Sequence, residues 1–162
     1  MSDPASELGP SAARVQAVAV ELGLAIRVVV MPASTRTADE AAVACGCDVA
    51  AIVKSLVFKG AVSGRPLLLL VSGANRVDEA VVAATIGETL ERMPGKEVRA
   101  VTGFAIGGIP PFGHATAPEV FIDRDLLAHP RVWAAAGTPH AVFEVEPQAL
   151  AAAVGARVVA MG

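Results

Sequence analysis

Three parts of this 162-residue sequence carry groups suited to chemistry. The densest is Gly107-Gly108-Ile109-Pro110-Pro111-Phe112-Gly113-His114, with three glycines, two adjacent prolines, an aromatic and a histidine in eight residues. Neither a helix nor a central strand tolerates that mixture, so the segment is a loop. It is a stiff loop, because the prolines fix φ and Pro111 also restricts Pro110. Its glycines allow positive φ and leave backbone N–H groups uncovered, an arrangement that can hold a carbonyl or an oxyanion. The plain alternative is a structural turn with a proline stack. His114, the one titratable group of the loop, reads either as a group that orients water or as a hydrogen-bonded staple.

The second part is Lys54, set in the apolar run Ile52-Val53-Lys54-Ser55-Leu56-Val57-Phe58. A lysine there either points to solvent or is aimed into a cleft, where it acts as a point charge on a phosphate or carbonyl oxygen. Lys59 is five residues on and so falls on the opposite face of a regular strand. The third part is the turn Gly137-Thr138-Pro139-His140. Other chemistries are disfavoured by what the chain lacks. It contains no G-x-G-x-x-G, no Walker loop, no H-E-x-x-H and no G-x-S-x-G. His114, His129 and His140 lie far apart in sequence and form no recognisable metal triad. Cys45 and Cys47 are too close for an ordinary disulfide, do not match C-x₂-C, and read as small buried residues near a helix end.

The chain that must position these groups has the length of one domain, is 54% hydrophobic and 18% charged, and carries a net charge of −3. Coating of duplex nucleic acid is therefore not expected, although a local basic patch suffices to hold one end of a strand. No leader and no membrane-length apolar run is read, and the expected compartment is the cytoplasm. Residues 1–10 read as a flexible tail. Ser11 offers a cap to a helix over 12–22, closed by Gly23, and 26–30 reads as a strand stopped by Pro32. Thr37-Ala38-Asp39-Glu40 is a capping box for a helix to Cys45. Residues 53–59 and 66–72 read as a hairpin, 78–86 and 94–101 as helices, 119–122, 131–135 and 141–145 as strands, 147–154 as a helix and 157–159 as a closing strand. Helices early and strands late argue for an α+β fold with a mixed sheet.

In that order, Val53-Lys54-Ser55-Leu56, the Gly107–His114 loop, the Asp123 segment and the Gly137–His140 turn resemble the YbaK/ProX family. These are free-standing aminoacyl-tRNA deacylases related to the editing domain inserted in bacterial prolyl-tRNA synthetases. The resemblance covers residues 12–160 and places the domain at 11–162. It implies a single α+β domain with a mixed, strongly curved, partly barrel-like sheet surrounded by helices. The implied activity is hydrolysis of the ester between a wrong amino acid and the tRNA 3′ end, with no metal and no cofactor. The implied partners are the 3′ end of an aminoacyl-tRNA and an aminoacyl-tRNA synthetase, with neither membrane nor duplex DNA among them. By the same resemblance Lys54, Gly108 and His114 are the catalytic candidates, and Gly107, Ile109, Pro110, Gly113, Gly137, Thr138 and His140 the substrate-binding ones. Arg76 and Arg99 are the basic residues expected near the tRNA end. Two other readings compete: a non-catalytic module that binds an aminoacyl or nucleotide end, and a hydrolase of small activated esters.

Overall fold

Leu67-Leu68-Leu69-Leu70-Val71 is apolar on both faces, and the fold is built around it. In the computed structural model, which describes residues 8–162, all five of these side chains are fully buried. They belong to β3 (Pro66–Ser72), the middle of a five-stranded sheet in the order β4-β2-β3-β5-β8. β2 (Val53–Gly60) and β4 (Leu90–Arg92) run antiparallel on one side, while β5 (Glu119–Asp123) and β8 (Arg157–Val159) run parallel on the other. A second, three-stranded antiparallel sheet has the order β1-β7-β6, from β1 (Val29–Val30), β7 (Ala141–Val145) and β6 (Val132–Ala135). The two sheets touch through one isolated parallel bridge, Ile52 to Trp133.

Five α-helices are present among the described residues: α1 (Pro10–Glu21), α2 (Ala38–Cys45), α3 (Glu79–Ile86), α4 (Gly95–Thr102) and α5 (Pro147–Val154). Leu68 and Leu70 face a large core with Val15 and Ala19 of α1, Leu150 of α5, Phe143, Ile109 and Phe112. Leu67, Leu69 and Val71 face a smaller one with Val82 of α3, Phe121 and Met161. That two-sided burial is why β3 reads as an unbroken apolar run instead of an alternating one. None of the described helices is long and apolar enough to cross a membrane.

The α+β class and a mixed sheet are observed, but the strand orders give two open sheets in place of one strongly curved, partly barrel-like sheet. The reason lies at the outer edge of β2. That edge is shared between β4, which covers only Phe58–Gly60, and the single contact of Ile52 with Trp133, so no continuous ladder closes a ring. Most elements fall where the residues predict; α1 and β1 differ in extent, and β4 is a strand the residues do not predict. α1 starts at Pro10 with Gly9 as its cap and not at Ser11, since proline is preorganised for the first helical position. Of the expected tail, residues 1–7 lie outside the described residues. β1 shrinks to two residues because the Gln16 side chain takes the upstream backbone, its amide donating to Ile26 O (3.1 Å) and its oxygen accepting from Val28 N–H (2.8 Å). Cys45 and Cys47 are half-buried free thiols, and burial, with Cys47 and Glu144 adding to it, pushes Cys45 up to about 11.

Candidate active site

Lys54 leaves β2 on the face that also carries Leu56 and Phe58, and it is half-buried. Its Nζ donates to the carbonyl of Asn75, in the loop after β3. The Asn75 side chain donates in turn to Asp123 Oδ2 (2.9 Å) and Asp125 Oδ2 (2.7 Å). Asp123 is 1% exposed and also accepts from Ser72 N–H (3.1 Å) and Asp125 N–H (2.9 Å). Both oxygens of this buried carboxylate are hydrogen-bonded, which offsets the cost of burying it. It therefore fixes Asn75, and Asn75 fixes Lys54. Burial and the Arg76 guanidinium push the Lys54 ammonium below its ordinary value, against the pull of Asp123 and Asp39.

Two cavities meet at Lys54. One, of about 420 Å³, is walled by Thr35, Arg36, Ile52, Trp133, Ala134 and the loop residues Gly107 and Ile109, among others. The other, of about 560 Å³, is walled by Arg76, Arg92, Phe58, Met93, Val98 and again Ile109. Lys54, Ser55, Leu56, Ile106 and Ile109 border both. Arg92 is paired with Glu79 at 3.2 Å, whereas among the described residues neither Arg36 nor Arg76 is paired with a carboxylate. The site is therefore cationic although the chain as a whole is acidic.

The glycine–proline loop forms the opposite wall. Gly107 has φ +101°, and a Cβ there would lie 2.8 Å from Arg36 Cγ, so the bare backbone lets Arg36 lie across the loop. Gly108 lies against the Gly137–His140 turn, where a Cβ would sit 2.8 Å from the Thr138 backbone. Its carbonyl accepts from Gly137 N–H (2.8 Å), and its own N–H donates to Ala105 O (3.2 Å). Among the described residues the Gly107 and Ile109 N–H groups find no protein acceptor, which leaves two donors at the cavity wall. Pro110, Pro111 and Phe112 are buried beneath, and Phe112 packs on Phe143 with ring centroids 5.4 Å apart.

Lys54, Gly107 and Ile109 are thus brought to one cavity, while the other expected residues stand behind it. Gly108 is a contact surface for the Thr138 turn. Gly113 (φ +81°) turns the chain and offers its carbonyl to Arg14 Nε (2.9 Å). His114 lies on the far side of the loop, with Nε2 at 2.7 Å from Pro110 O and its ring against Phe104. Burial there holds its imidazole below the usual histidine range, although the Pro110 carbonyl acts the other way. Gly137 (φ +94°) lies against the Ser11 backbone. Thr138 Oγ1 accepts from the N–H groups of His140 and Ala141, and exposed His140 bonds Ala33 O through Nδ1 (3.1 Å). Pro139 O accepts from both the N–H and the hydroxyl of Thr35, which ties this turn to the segment carrying Arg36. Arg76 is at the site as expected, but Arg99 lines neither cavity. Arg36, Thr35 and Ser55 were not anticipated. A basic residue just before the Thr37 capping box was the one available signal for Arg36.

The family model for the aminoacyl-tRNA editing domain matches residues 32–153, a span that holds Lys54, the loop and the turn. The chain belongs to this family. It is similar to a solved structure described as a candidate trans-editing enzyme for prolyl tRNA synthetase, at 50% identity and a TM-score of 0.89, covering 95% of this chain and 98% of that one. It is also similar to the hypothetical protein APE2540, at 28% identity and a TM-score of 0.84, over 91% and 97% of the two chains. An uncharacterized protein of Bacillus subtilis (strain 168), YwhH, is 32% identical over 117 residues, covering 72% of this chain and 74% of its own length. Within this editing domain, none of the described His, Cys, Asp and Glu side chains form a group of three or more able to hold a metal ion.

Proposed function

We propose that this editing domain is a free-standing deacylase that hydrolyses the ester joining a mischarged amino acid to the 3′-terminal adenosine of a tRNA. One observation carries the reading: the half-buried Lys54 lines the same cavity of about 420 Å³ as Gly107 and Ile109, whose N–H groups have no protein acceptor among the described residues. That volume suits a small ligand group. Water adds to the ester carbonyl, the Gly107 and Ile109 N–H groups hold the oxygen that becomes negative, and the ribose oxygen leaves with a proton. Amino acid and tRNA are released. An aminoacyl ester is already activated, so positioning and oxyanion donors supply much of what is needed. Lys54 acts as a point charge toward the ester carbonyl or the terminal phosphate, and Arg36 and Arg76 draw in the polyanionic strand. Gly108, Gly113, Pro110, Gly137, Thr138 and His140 hold the wall in place, and His114 braces the loop through Pro110.

A panel of tRNAs charged with alanine, serine, threonine, cysteine and proline tests the reading. Release of one or two of these amino acids, above the spontaneous rate, is the expected result and names the substrate. A folded protein that releases none of them overturns it. The similarity to a candidate trans-editing enzyme for prolyl tRNA synthetase makes tRNA for proline the first to charge, and a synthetase a partner worth testing by co-sedimentation.

A further inference from the structure

The edge of β2 beside Lys54 is unpaired, and its residues border both cavities. Gly60 N–H donates to Arg65 O (2.9 Å) and Gly73 N–H to Ile52 O (2.7 Å), so the even-numbered residues of β2 form the hydrogen-bonded pairs with β3. In an antiparallel ladder the residues between them turn their N–H and C=O groups to the other edge. At the far end that edge is taken by β4, with Ala61 N–H donating to Thr89 O (2.9 Å) and Lys59 opposite Glu91. At the near end it is taken by Trp133 against Ile52. Over Lys54–Val57 no strand pairs with it among the described residues. Ser55 sits at the middle of this gap and borders both cavities. It is also the one described residue whose buried side-chain polar atom, Oγ, has no hydrogen-bond partner. The loop residues Ile106 and Ile109 also border both cavities.

An aminoacyl ester carries an amine donor and a carbonyl acceptor on the two sides of one α-carbon, the same pair that a residue in a strand presents. We propose that the aminoacyl group binds as a one-residue strand on the open edge of β2, its amine donating to Ser55 C=O while Ser55 N–H donates to the ester carbonyl. This rests on the deacylase reading and deepens it. It places the reacting carbonyl between Ser55 N–H and the Gly107–Ile109 wall, with Lys54 next along the same strand. Recognition then requires a free α-amine whatever the side chain, because both bonds are made to backbone.

The probes are the alanyl and propionyl amides of 3′-amino-3′-deoxyadenosine, which differ only in the amine and cannot be hydrolysed as esters. Calorimetry on the wild-type protein is expected to show the propionyl compound binding about tenfold more weakly or worse, the effect of one lost hydrogen bond. Equal affinity for the two overturns the proposal. Ser55→Pro removes the edge-facing N–H while leaving the ladder to β3, a substitution tolerated at strand edges. It is expected to weaken the alanyl amide about tenfold, with an unfolding temperature near that of the wild type. A folded Ser55→Pro protein that binds as tightly as the wild type also overturns the proposal, and if the variant does not fold, the amide comparison decides alone. Release from charged tRNA with equal binding of the two amides keeps the deacylase and removes the pairing. Amine-dependent binding without release keeps the pairing and removes the hydrolysis.

Discussion

Gly108 shows how a residue outside the cavity can govern it. A Cβ there would lie 2.8 Å from three backbone atoms of Thr138, and backbone cannot step aside as a flexible side chain can. Gly108→Ala is expected to cost about 1–3 kcal/mol, the usual range for forced overpacking. It should also reduce turnover by separating the loop from the Gly137 turn. Unfolding and kinetics within error of the wild type would show that the contact gives freely. His114 bears on pH. Burial, helped by Arg14 and opposed by the Pro110 carbonyl, lowers its folded-state value from the ordinary 6.5. The unfolded chain therefore takes up a proton that the folded chain refuses. The stability tied to His114 is complete above pH 6.5 and is lost as pH falls below it through the folded value. Thermal unfolding followed between about pH 7 and pH 5 should fall less steeply in His114→Gln than in the wild type. Equal slopes would contradict the buried-neutral assignment.

At the scale of elements, the caps explain most of what was legible. Thr37 accepts from Glu40 N–H (3.1 Å) at the start of α2, as its capping box predicts, and Gly46, Gly87, Gly103 and Gly155 end four helices with positive φ. Thr37→Ala should cost about 1 kcal/mol. Because Thr37 follows Arg36 into the cavity wall, it should also raise KM, and an unchanged unfolding midpoint would show that the cap is not holding α2. β4 is not legible because Leu90–Arg92 is too short to show a period of two. β1 is shorter than its residues predict because nothing in that apolar run reveals that Gln16, ten residues upstream, takes the backbone of Ile26. The loop was legible as rigid from its prolines. Its division into a cavity wall at Gly107 and Ile109 and a brace at Gly108, Gly113 and His114 was not, since spacing does not say which side of a loop faces inward.

Over the whole molecule the governing feature is the junction of two open sheets. A single continuous sheet would have paired the outer edge of β2 beside Lys54 and Ser55. The break between Trp133 and β4 leaves them beside two cavities with Arg36 and Arg76 at hand. The sequence could not show this, because it depends on where two strands stop, and strand ends are set by tertiary contacts. The net charge of −3 makes the cationic site local, so binding of the tRNA end should depend on few contacts. Arg76→Ala is expected to raise KM several-fold with little effect on kcat and to flatten the salt dependence of kcat/KM. A fall in kcat alone would place Arg76 in the chemistry instead.

The central claim is hydrolysis at the Lys54 cavity. Single-turnover release of the amino acid, measured side by side for the wild type and Lys54→Ala on the charged tRNA that the panel selects, tests it most directly. The account predicts a loss of about 10² or more, the scale of removing one preorganised electrostatic contact, with thermal unfolding little changed. Equal rates in the two proteins would contradict it and move the chemistry away from this site.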